Sequence, residues 1–279
     1  MISDKTKNFL KNDKVLVACH RGCHGGNIIQ NTINSCLCAY SEYAHIAEID
    51  VVRSIDGVYY VFHDTEEPAT FGFLNNLRDL TSSQIDNLRL VNKYGCLTEQ
   101  RIPLFKDLLK ALKGKGLINL DRCWGEDFDY LKGALDLIYE EEMLDSVIVK
   151  SNFDKIIFEG LKTYEHKIQY MCIVNSVEQI IYLLNSEIDL FGVEILFQAD
   201  DDEVLKMIPL LKEKGIIIWG NSINLNDTAV LSGGHDDITA LLENKDKGWG
   251  FFIDKGFDII QTDFPSSLYH YIKFEYSKS

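Results

Sequence analysis

Short runs of Val, Ile and Leu recur along the chain, separated by longer stretches whose apolar residues fall three or four positions apart. The runs favour buried β-strands, and the wider spacing favours helices with one apolar face. Eight strands are predicted, at Val15–Cys19, Ile46–Val51, Leu117–Asp121, Val147–Lys150, Tyr170–Ile173, Phe191–Ile195, Ile216–Trp219 and Ile259–Thr262. Helices are predicted at Thr32–Tyr43, Pro103–Leu112, Asp129–Glu141, Phe153–Leu161, Ser176–Leu184 and Asp202–Lys214.

Eight buried strands that alternate with helices are typical of an α/β protein built as a closed (β/α)8 TIM barrel. An open, doubly wound sheet is the alternative, because periodicity does not distinguish a closed sheet from an open one. No repeat or Pro/Ser-rich linker divides the chain, so a single domain over 1–279 is expected. The polar stretch Thr65–Arg101, which follows an Asp56-Gly57 turn and a short β segment, is expected to cross the face of the barrel that carries function.

The charge balance narrows the classes of partner. The chain has 43 acidic and 28 basic residues, a net charge of −15 and no basic run. Such a chain is not expected to bind nucleic acid or to associate stably with an anionic membrane. Seven cysteines without a regular framework predict reduced thiols. Met1–Asn12 has no apolar core of a secretory signal, so a cytoplasmic location is expected.

Two histidines stand at the ends of predicted β segments. His20 and Arg21 follow the first strand, and His63 follows the segment Val58–Phe62. An imidazole moves a proton near neutral pH, and a guanidinium holds two phosphate oxygens at once. These residue types predict acid/base chemistry on a phosphate ester. The alternative is that His20 and Arg21 are ordinary loop residues and His63 a structural histidine.

Carboxylates mark two further strands. Glu48 and Asp50 point the same way, about 6 to 7 Å apart, because side chains alternate along a strand. Two buried carboxylates need a cation, and oxygen ligands favour Mg or Ca over Zn. Asp121, at the end of the third predicted strand, offers a third oxygen ligand. The alternatives are an exposed edge strand for the pair and a helix cap for Asp121.

Other candidates are weaker. Lys150 ends the fourth predicted strand, where a cation is suited to phosphate, and Trp219 ends the seventh, where it is a candidate wall of the substrate pocket. The polar cluster Ser232–Asp237 is typical of an ordinary loop. Cys19, His20, Cys23 and His24 lack the spacing of a zinc finger, so zinc is not expected.

Taken in order, a set of short motifs resembles the glycerophosphodiester phosphodiesterase family. The motifs are His20-Arg21-Gly22, Gln30-Asn31-Thr32, Glu48-Ile49-Asp50-Val51, Asp56-Gly57, His63-Asp64, Ile102-Pro103-Leu104 and Thr262-Asp263-Phe264-Pro265. The resemblance implies a (β/α)8 barrel with a small insertion after the second strand, here about 64–116. It also implies one divalent cation, Mg or Ca, and hydrolysis of small glycerophosphodiesters to glycerol 3-phosphate and an alcohol.

By the same resemblance, His20 and His63 are the catalytic pair and Arg21 is the phosphate ligand. Glu48, Asp50 and Asp121 are the implied metal ligands, although the family usually has Glu at the position of Asp121.

The chain departs from the family pattern elsewhere as well. Gln30 stands where the family commonly has Glu, and Cys123 stands where it has Lys, which leaves Arg122 or Lys150 to supply positive charge. Two other functions stay open at this point. One is a phospholipase D-like enzyme acting on lysophospholipid or sphingomyelin headgroups, and the other is a non-catalytic member that binds phosphodiesters.

Overall fold

A computed structural model describes residues 2–72, 75–125, 127–225 and 229–276. Within these ranges eight parallel strands close into a barrel, because β1 pairs with β2, and a further strand, β3, runs antiparallel to β2. The strands are β1 Leu16–Cys19, β2 Ile46–Arg53, β3 Tyr59–Val61, β4 Leu117–Asp121, β5 Val147–Asn152, β6 Gln169–Val174, β7 Leu190–Ile195, β8 Ile217–Asn221 and β9 Ile259–Thr262. The predicted TIM barrel is confirmed, and each parallel strand overlaps a predicted run.

The α-helices are α1 Asp4–Asn12, α2 Ile33–Ser41, α3 Glu67–Phe71, α4 Ser82–Ile85, α5 Phe105–Leu112, α6 Phe128–Glu140, α7 Lys155–Thr163, α8 Val177–Leu184, α9 Ile208–Glu213, α10 Phe251–Lys255 and α11 Pro265–His270. Most of them cover the outside of the barrel, whereas α1 lies at one end and α3 and α4 belong to the segment between β3 and β4. The single helix predicted over Asp202–Lys214 is instead a 3-10 helix, Glu203–Met207, followed by α9. Pro209 accounts for the break, because it has no N–H to donate to the preceding turn. In the described ranges no helix is both long enough and apolar enough to span a bilayer.

The strands bury both faces, which explains why their sequences are almost continuously apolar. Their outer faces pack against the helices in the main core. The inside of the barrel is filled near the amino-terminal ends of the strands by Leu16, Ala18, Ile46, Leu117, Ile148, Met171, Phe191, Ile217, Trp219 and Ile259. Helix α1 packs Phe9 and Leu10 against this inner cluster and so closes that end of the barrel.

Toward the carboxyl ends of the strands, the inward positions become polar. Ile46 belongs to the inner apolar cluster. Glu48 and Asp50 follow on the same face of β2, because residues two apart in a strand point the same way. Both carboxylates are buried. The fold therefore places an apolar plug at one end of the barrel and a buried polar cluster at the other, where TIM barrels carry their active sites.

The segment between β3 and β4 has a small core of its own. This satellite core consists of Ile29, Val52, Tyr60, Phe62, Leu77, Ile85, Leu90 and Ile102. Helices α3 and α4 belong to this segment, whereas α5 packs against α2 and β3 as a regular helix of the barrel. The satellite core fixes the segment beside the loop that follows β1.

Candidate active site

Three carboxylates meet at the polar end of the barrel. Asp50 on β2 and Asp121 on β4 are directly paired positions of neighbouring strands. Glu48 lies two residues before Asp50 on the same face of β2. Burial raises the pKa of Glu48 well above its usual range, and the negative charges of Asp50 and Asp121 raise it further. Lys150 and the backbone N–H of Arg21 lower that pKa in part. The cluster therefore carries negative charge that its surroundings only partly offset.

The turn after β1 aims Arg21 at this cluster. Arg21 adopts a left-handed backbone (φ 53°), and its N–H donates to Oε2 of Glu48 at 2.7 Å. Gly22 is also left-handed (φ 71°), and a Cβ there would lie 2.5 Å from Oγ of Ser35. Left-handed backbone is costly for a residue such as Arg and persists where the surrounding structure enforces it. The close packing of Gly22 on α2 thus fixes the direction of Arg21.

The guanidinium of Arg21 is buried among acceptors. Nη1 donates to Oε1 of Gln30 at 3.3 Å and to Oε1 of Glu66 at 3.2 Å. Nε lies 3.3 Å from Oδ2 of Asp50, within ion-pair range but without hydrogen-bond geometry. The family commonly has Glu at the position of Gln30, so the negative charge of that residue is missing here. Glu66 instead supplies a negative charge beside Arg21.

Asn31 holds Asp50 from two sides. Its Nδ2 donates to Oδ2 of Asp50 at 2.8 Å, and its Oδ1 accepts from the N–H of Asp50 at 3.0 Å. Asn31 is itself left-handed (φ 57°), a conformation that asparagine adopts more readily than most residues. The Gln30-Asn31-Thr32 motif thus contacts two elements, because Thr32 caps α2 and Asn31 bonds Asp50 of β2.

Lys150 lies inside the barrel with no exposed surface. Its Nζ is 3.2 Å from Oδ2 of Asp121, 2.7 Å from Oε2 of Glu194 and 3.3 Å from Oε1 of Gln261. Burial lowers the pKa of Lys150, but the charges of Glu194 and Asp121 outweigh burial and leave that pKa raised. Lys150 is therefore a fixed positive charge beneath the carboxylates.

Trp219 lies below Lys150, whose Nζ is 4.3 Å from the ring centroid. The ring has no exposed surface, and its Nε1 donates to Oε1 of Gln261 at 3.1 Å. Trp219 therefore supports Lys150 from the inner apolar cluster. The sequence analysis placed Trp219 at the end of its strand and expected it to line the substrate pocket. In the structure β8 continues to Asn221, so Trp219 lies deeper in the barrel.

The side chains of Cys123 and Arg122, which follow the third carboxylate, have their contacts elsewhere. Cys123 is buried in the main core, where burial raises the pKa of its thiol to about 12. The Arg122 side chain donates to Oδ1 of Asp64, through Nη2 at 2.8 Å. Of the two cations suggested by the sequence, Lys150 is the one within ion-pair distance of Asp121.

The carboxylate of Asp263 positions His20. Its Nδ1 lies 2.9 Å from Oδ1 of Asp263, the residue after β9. Burial raises the pKa of Asp263, but the hydrogen bond from His20 and nearby positive charges outweigh it, and the net pKa is lowered. The N–H of Asp263 donates in turn to Oδ2 of Asp237 at 2.9 Å.

Asp237 is buried and accepts hydrogen bonds from several groups around Asp263. Its Oδ1 accepts from Oγ of Ser222, Nε1 of Trp249 and Oγ1 of Thr262, each at 2.7 Å. Burial raises the pKa of Asp237 to about 6, although these hydrogen bonds act to lower it. The loop Ser232–Asp237 is therefore more than an ordinary loop, because it delivers a carboxylate that ties β8 to the end of β9.

His63 lies two residues after β3, the strand that pairs with β2. The N–H of Phe62 donates to the backbone oxygen of Asp50 at 3.0 Å, which sets His63 next to β2. Nδ1 of His63 is buried and has no hydrogen-bond partner. His63 also lines a cavity of about 310 Å³. A half-buried imidazole that lines a cavity and whose Nδ1 has no partner is suited to contact a ligand.

The carboxylates suit a hard divalent cation by their chemistry. Glu48, Asp50 and Asp121 offer oxygen ligands only, and burial first and the charges of the other two carboxylates next raise the pKa of Glu48, effects that a cation would offset. As the described side chains lie, however, no three His, Cys, Asp or Glu residues form a metal-binding group. In this arrangement Oδ2 of Asp50 accepts from Asn31 and Oδ2 of Asp121 accepts from Lys150.

Several residues of the site carried little signal in the sequence. Asp263 lies in a motif that the resemblance included, but its partner His20 is 243 positions away. Glu194, whose Oε1 accepts from Nδ2 of Asn221 at 3.1 Å, sits in a run that is otherwise apolar. A charged residue inside an apolar run is the one signal that points to Glu194.

Comparisons with known proteins bear on the family of the chain and on its fold. Residues 20–179 match the model of the glycerophosphoryl diester phosphodiesterase family, and residues 170–272 match a family described as a domain of unknown function. No curated protein is similar enough to be matched.

Solved structures share the fold. A glycerophosphoryl diester phosphodiesterase from Parabacteroides distasonis is 19% identical with a TM-score of 0.71, over 100% of this chain and 95% of that one. A glycerophosphodiester phosphodiesterase from Thermotoga maritima is 20% identical with a TM-score of 0.64, over 91% and 97% of the two chains. An Oleispira antarctica phosphodiesterase in complex with the product sn-glycerol-3-phosphate is 17% identical with a TM-score of 0.67, over 92% and 96%. At these identities the likeness establishes the barrel.

Proposed function

The chain belongs to the glycerophosphoryl diester phosphodiesterase family, and we propose that it hydrolyses small glycerophosphodiesters to glycerol 3-phosphate and an alcohol. The observation that carries the proposal is that a buried Arg21 and a His20 held by Asp263 lie side by side at the carboxyl ends of the barrel strands. The Oleispira antarctica protein is bound to sn-glycerol-3-phosphate, the product proposed here. Residues 1–279 act as one catalytic domain, and the insertion expected over about 64–116 takes in α5, which packs as a regular helix of the barrel.

Arg21 binds the phosphate in this proposal. A guanidinium holds two non-bridging oxygens at once and offsets the negative charge that builds up in the transition state. Lys150 adds positive charge from beneath Asp121 and so makes the cluster less repulsive to an anion. Trp219 holds Lys150 in place from below.

His20 and His63 divide the proton transfers. One imidazole takes the proton of the nucleophile, which is water or the neighbouring hydroxyl of the glycerol, and the other gives a proton to the leaving alcohol oxygen. The bond from phosphorus to that oxygen breaks as the new bond forms. Asp263 keeps His20 oriented through Nδ1, which leaves Nε2 for the substrate.

Members of the family generally use a divalent metal ion. In this chain Glu48, Asp50 and Asp121 would hold one ion, Mg or Ca. Such an ion would supply positive charge that offsets the negative charge of the phosphate.

The test is release of glycerol 3-phosphate from glycerophosphocholine, glycerophosphoethanolamine and glycerophosphoinositol, with Mg, Ca or EDTA. His20→Ala, His63→Ala and Asp50→Asn are compared with His270→Ala, which replaces an exposed histidine of α11. We expect His20→Ala and His63→Ala to lose at least about 10²-fold in turnover, the usual contribution of an acid/base group. Asp50→Asn is expected to lose turnover because it removes a ligand of the proposed ion, and His270→Ala is expected to keep wild-type activity.

Full activity in both His20→Ala and His63→Ala would overturn the assignment of the catalytic pair. Turnover that survives EDTA and Asp50→Asn would remove the metal from the proposal. Folded wild-type protein that binds the diesters without turning them over in any metal would identify a binding protein instead.

A further inference from the structure

The cavity beside His63 adjoins the reaction centre. It measures about 310 Å³ and lies between the loop after β1 and the segment that links β3 to β4. Gln30 and Glu66 line it, and both accept hydrogen bonds from Arg21. A ligand whose phosphate contacts Arg21 therefore has one arm directed into this cavity or next to it.

Much of the cavity wall is apolar. The apolar lining residues are Ile28, Ile29, Val61, Phe62, Ala69, Leu90 and Val91. Phe62 is the one Phe, Tyr or Trp among the described lining residues, so the cavity lacks the aromatic cage that recognises a quaternary ammonium group. Glu66 is already paired with Arg21, which leaves little negative charge to attract a cationic headgroup.

Hydrogen bonds between the two walls hold the cavity open. Asn27, in the loop after β1, accepts from Nδ2 of Asn92 and from Nε2 of Gln100, each at 2.8 Å. The N–H of Lys93 donates to the backbone oxygen of Gly26 at 3.3 Å. A pocket formed before the ligand arrives binds at a lower entropic cost than one that must be ordered.

We propose that this cavity is a subsite for an apolar segment carried on one ester arm of the phosphodiester substrate. The proposal rests on the proposed function and deepens it by naming the substrate class: diesters with an alkyl or acyl chain, in preference to those with only small polar alcohols. Each buried methylene is worth about fourfold in binding. A hexyl arm is therefore expected to raise kcat/KM by roughly ten- to a hundredfold over an ethyl arm, because burial of the chain is incomplete.

The test compares three water-soluble substrates: glycerophosphoethanol, glycerophosphohexanol, and glycerophosphoethanol with a hexanoyl ester on the glycerol. The two six-carbon substrates carry the apolar segment on opposite arms, so their comparison assigns the arm that enters the cavity. All three are used far below the concentration at which they aggregate. The proposal predicts a gain in kcat/KM for one of the six-carbon substrates, and equal values for all three would overturn it.

Two variants locate the gain. Ala69→Phe narrows the cavity from α3, and Ile28→Asn makes its wall polar; both side chains are exposed in the substrate-free protein, so folding is expected to tolerate the changes. Each variant is expected to lower the ratio of kcat/KM between the six-carbon substrate and glycerophosphoethanol at least fivefold. Ala111→Phe, at an exposed position of α5 outside the cavity, is the matched control and is expected to keep the ratio. An unchanged ratio in both cavity variants would overturn the assignment.

A binding measurement separates this proposal from the proposed function. Hydrolysis-resistant phosphonate analogues with ethyl or hexyl arms are titrated calorimetrically into wild-type protein at several temperatures. Tighter binding and a more negative heat-capacity change for a hexyl analogue support the subsite even where no diester is turned over, because both follow from burial of apolar surface. Absence of turnover counts against the proposed function alone. Equal affinity for ethyl and hexyl analogues counts against the subsite alone.

Discussion

Nδ1 of His20 and Oδ1 of Asp263 lie 2.9 Å apart, which joins the end of β1 to the end of β9. The side chain of His20 is 14% exposed, and that of Asp263 is 36% exposed. A carboxylate on Nδ1 fixes the tautomer and orientation of the imidazole, and it stabilises the imidazolium that forms as a proton moves. The geometry thus makes Asp263 the positioning residue for His20.

Replacing Asp263 with Asn is expected to lower kcat by about 10²-fold, within the range that a positioned acid/base group contributes, and to change KM much less. The reason is that the amide no longer stabilises the protonated ring, whereas Arg21 still binds the phosphate. Steady-state kinetics on glycerophosphocholine measures both constants. Asp201→Asn, at an exposed position, is the control. Wild-type kcat in Asp263→Asn would show that His20 works without its carboxylate.

The raised pKa of Asp237 predicts a pH dependence of stability. Its pKa rises from 3.8 when the chain is unfolded to about 6 in the folded protein, so between these values the folded state binds more protons than the unfolded state. Stability contributed by Asp237 is therefore full below pH 4 and lost as the pH rises through about 6, by up to about 3 kcal/mol.

Urea unfolding of wild-type protein and Asp237→Asn at pH 4.5 and pH 7 tests this relation, because other groups titrate alike in both proteins. The free energy of unfolding of the wild type, taken relative to Asp237→Asn, is expected to fall between the two pH values. A constant difference would mean that Asp237 ionises in the folded state as it does in the unfolded chain.

The barrel was predictable from sequence because strands buried on both faces leave apolar runs that a reader can count. His20, Arg21, Glu48, Asp50 and Asp121 were singled out because charges that end or interrupt such runs are conspicuous. The structure places Arg21 and the three carboxylates together at one end of the barrel. The burial of Asp237 was not predicted, because nothing in the sequence around a carboxylate in a polar loop indicates that it is buried. Its donors Trp249 and Thr262 lie 12 and 25 positions away, and only the closed barrel brings them together.

Removing the buried cation Lys150 is expected to destabilise the protein strongly. Lys150→Met leaves Asp121 and Glu194 buried without a counter-charge, a change that typically costs about 3 to 5 kcal/mol. The loss is expected to grow with pH, because Lys150 lowers the pKa of Glu48, and without it that carboxyl is still harder to ionise. Thermal unfolding at pH 5 and pH 7 measures both effects. Lys132→Met, an exposed position on α6, serves as control, and an equal effect of the two substitutions would contradict the role given to Lys150.

Glu66 and Gln30 together are expected to set the position of Arg21. Both accept from Nη1 of Arg21, but only Glu66 brings a charge, at 3.2 Å. Glu66→Gln is expected to lower kcat/KM on glycerophosphocholine about tenfold, because a hydrogen bond to a charged group is worth about 1.5 to 3 kcal/mol. Gln30→Glu, which restores the more common family residue on the other side of the guanidinium, is expected to recover most of that loss in the double variant.

The double variant decides whether the charge or the side chain matters. If the negative charge positions Arg21, the double variant approaches wild type and the two substitutions are strongly non-additive, as expected for residues that share one partner. Glu66→Asp, which keeps the charge on a shorter side chain, is then expected to lose less than Glu66→Gln. Independent, additive losses from Glu66→Gln and Gln30→Glu would mean instead that each residue acts on the cavity it lines, and the charge relation through Arg21 would be wrong.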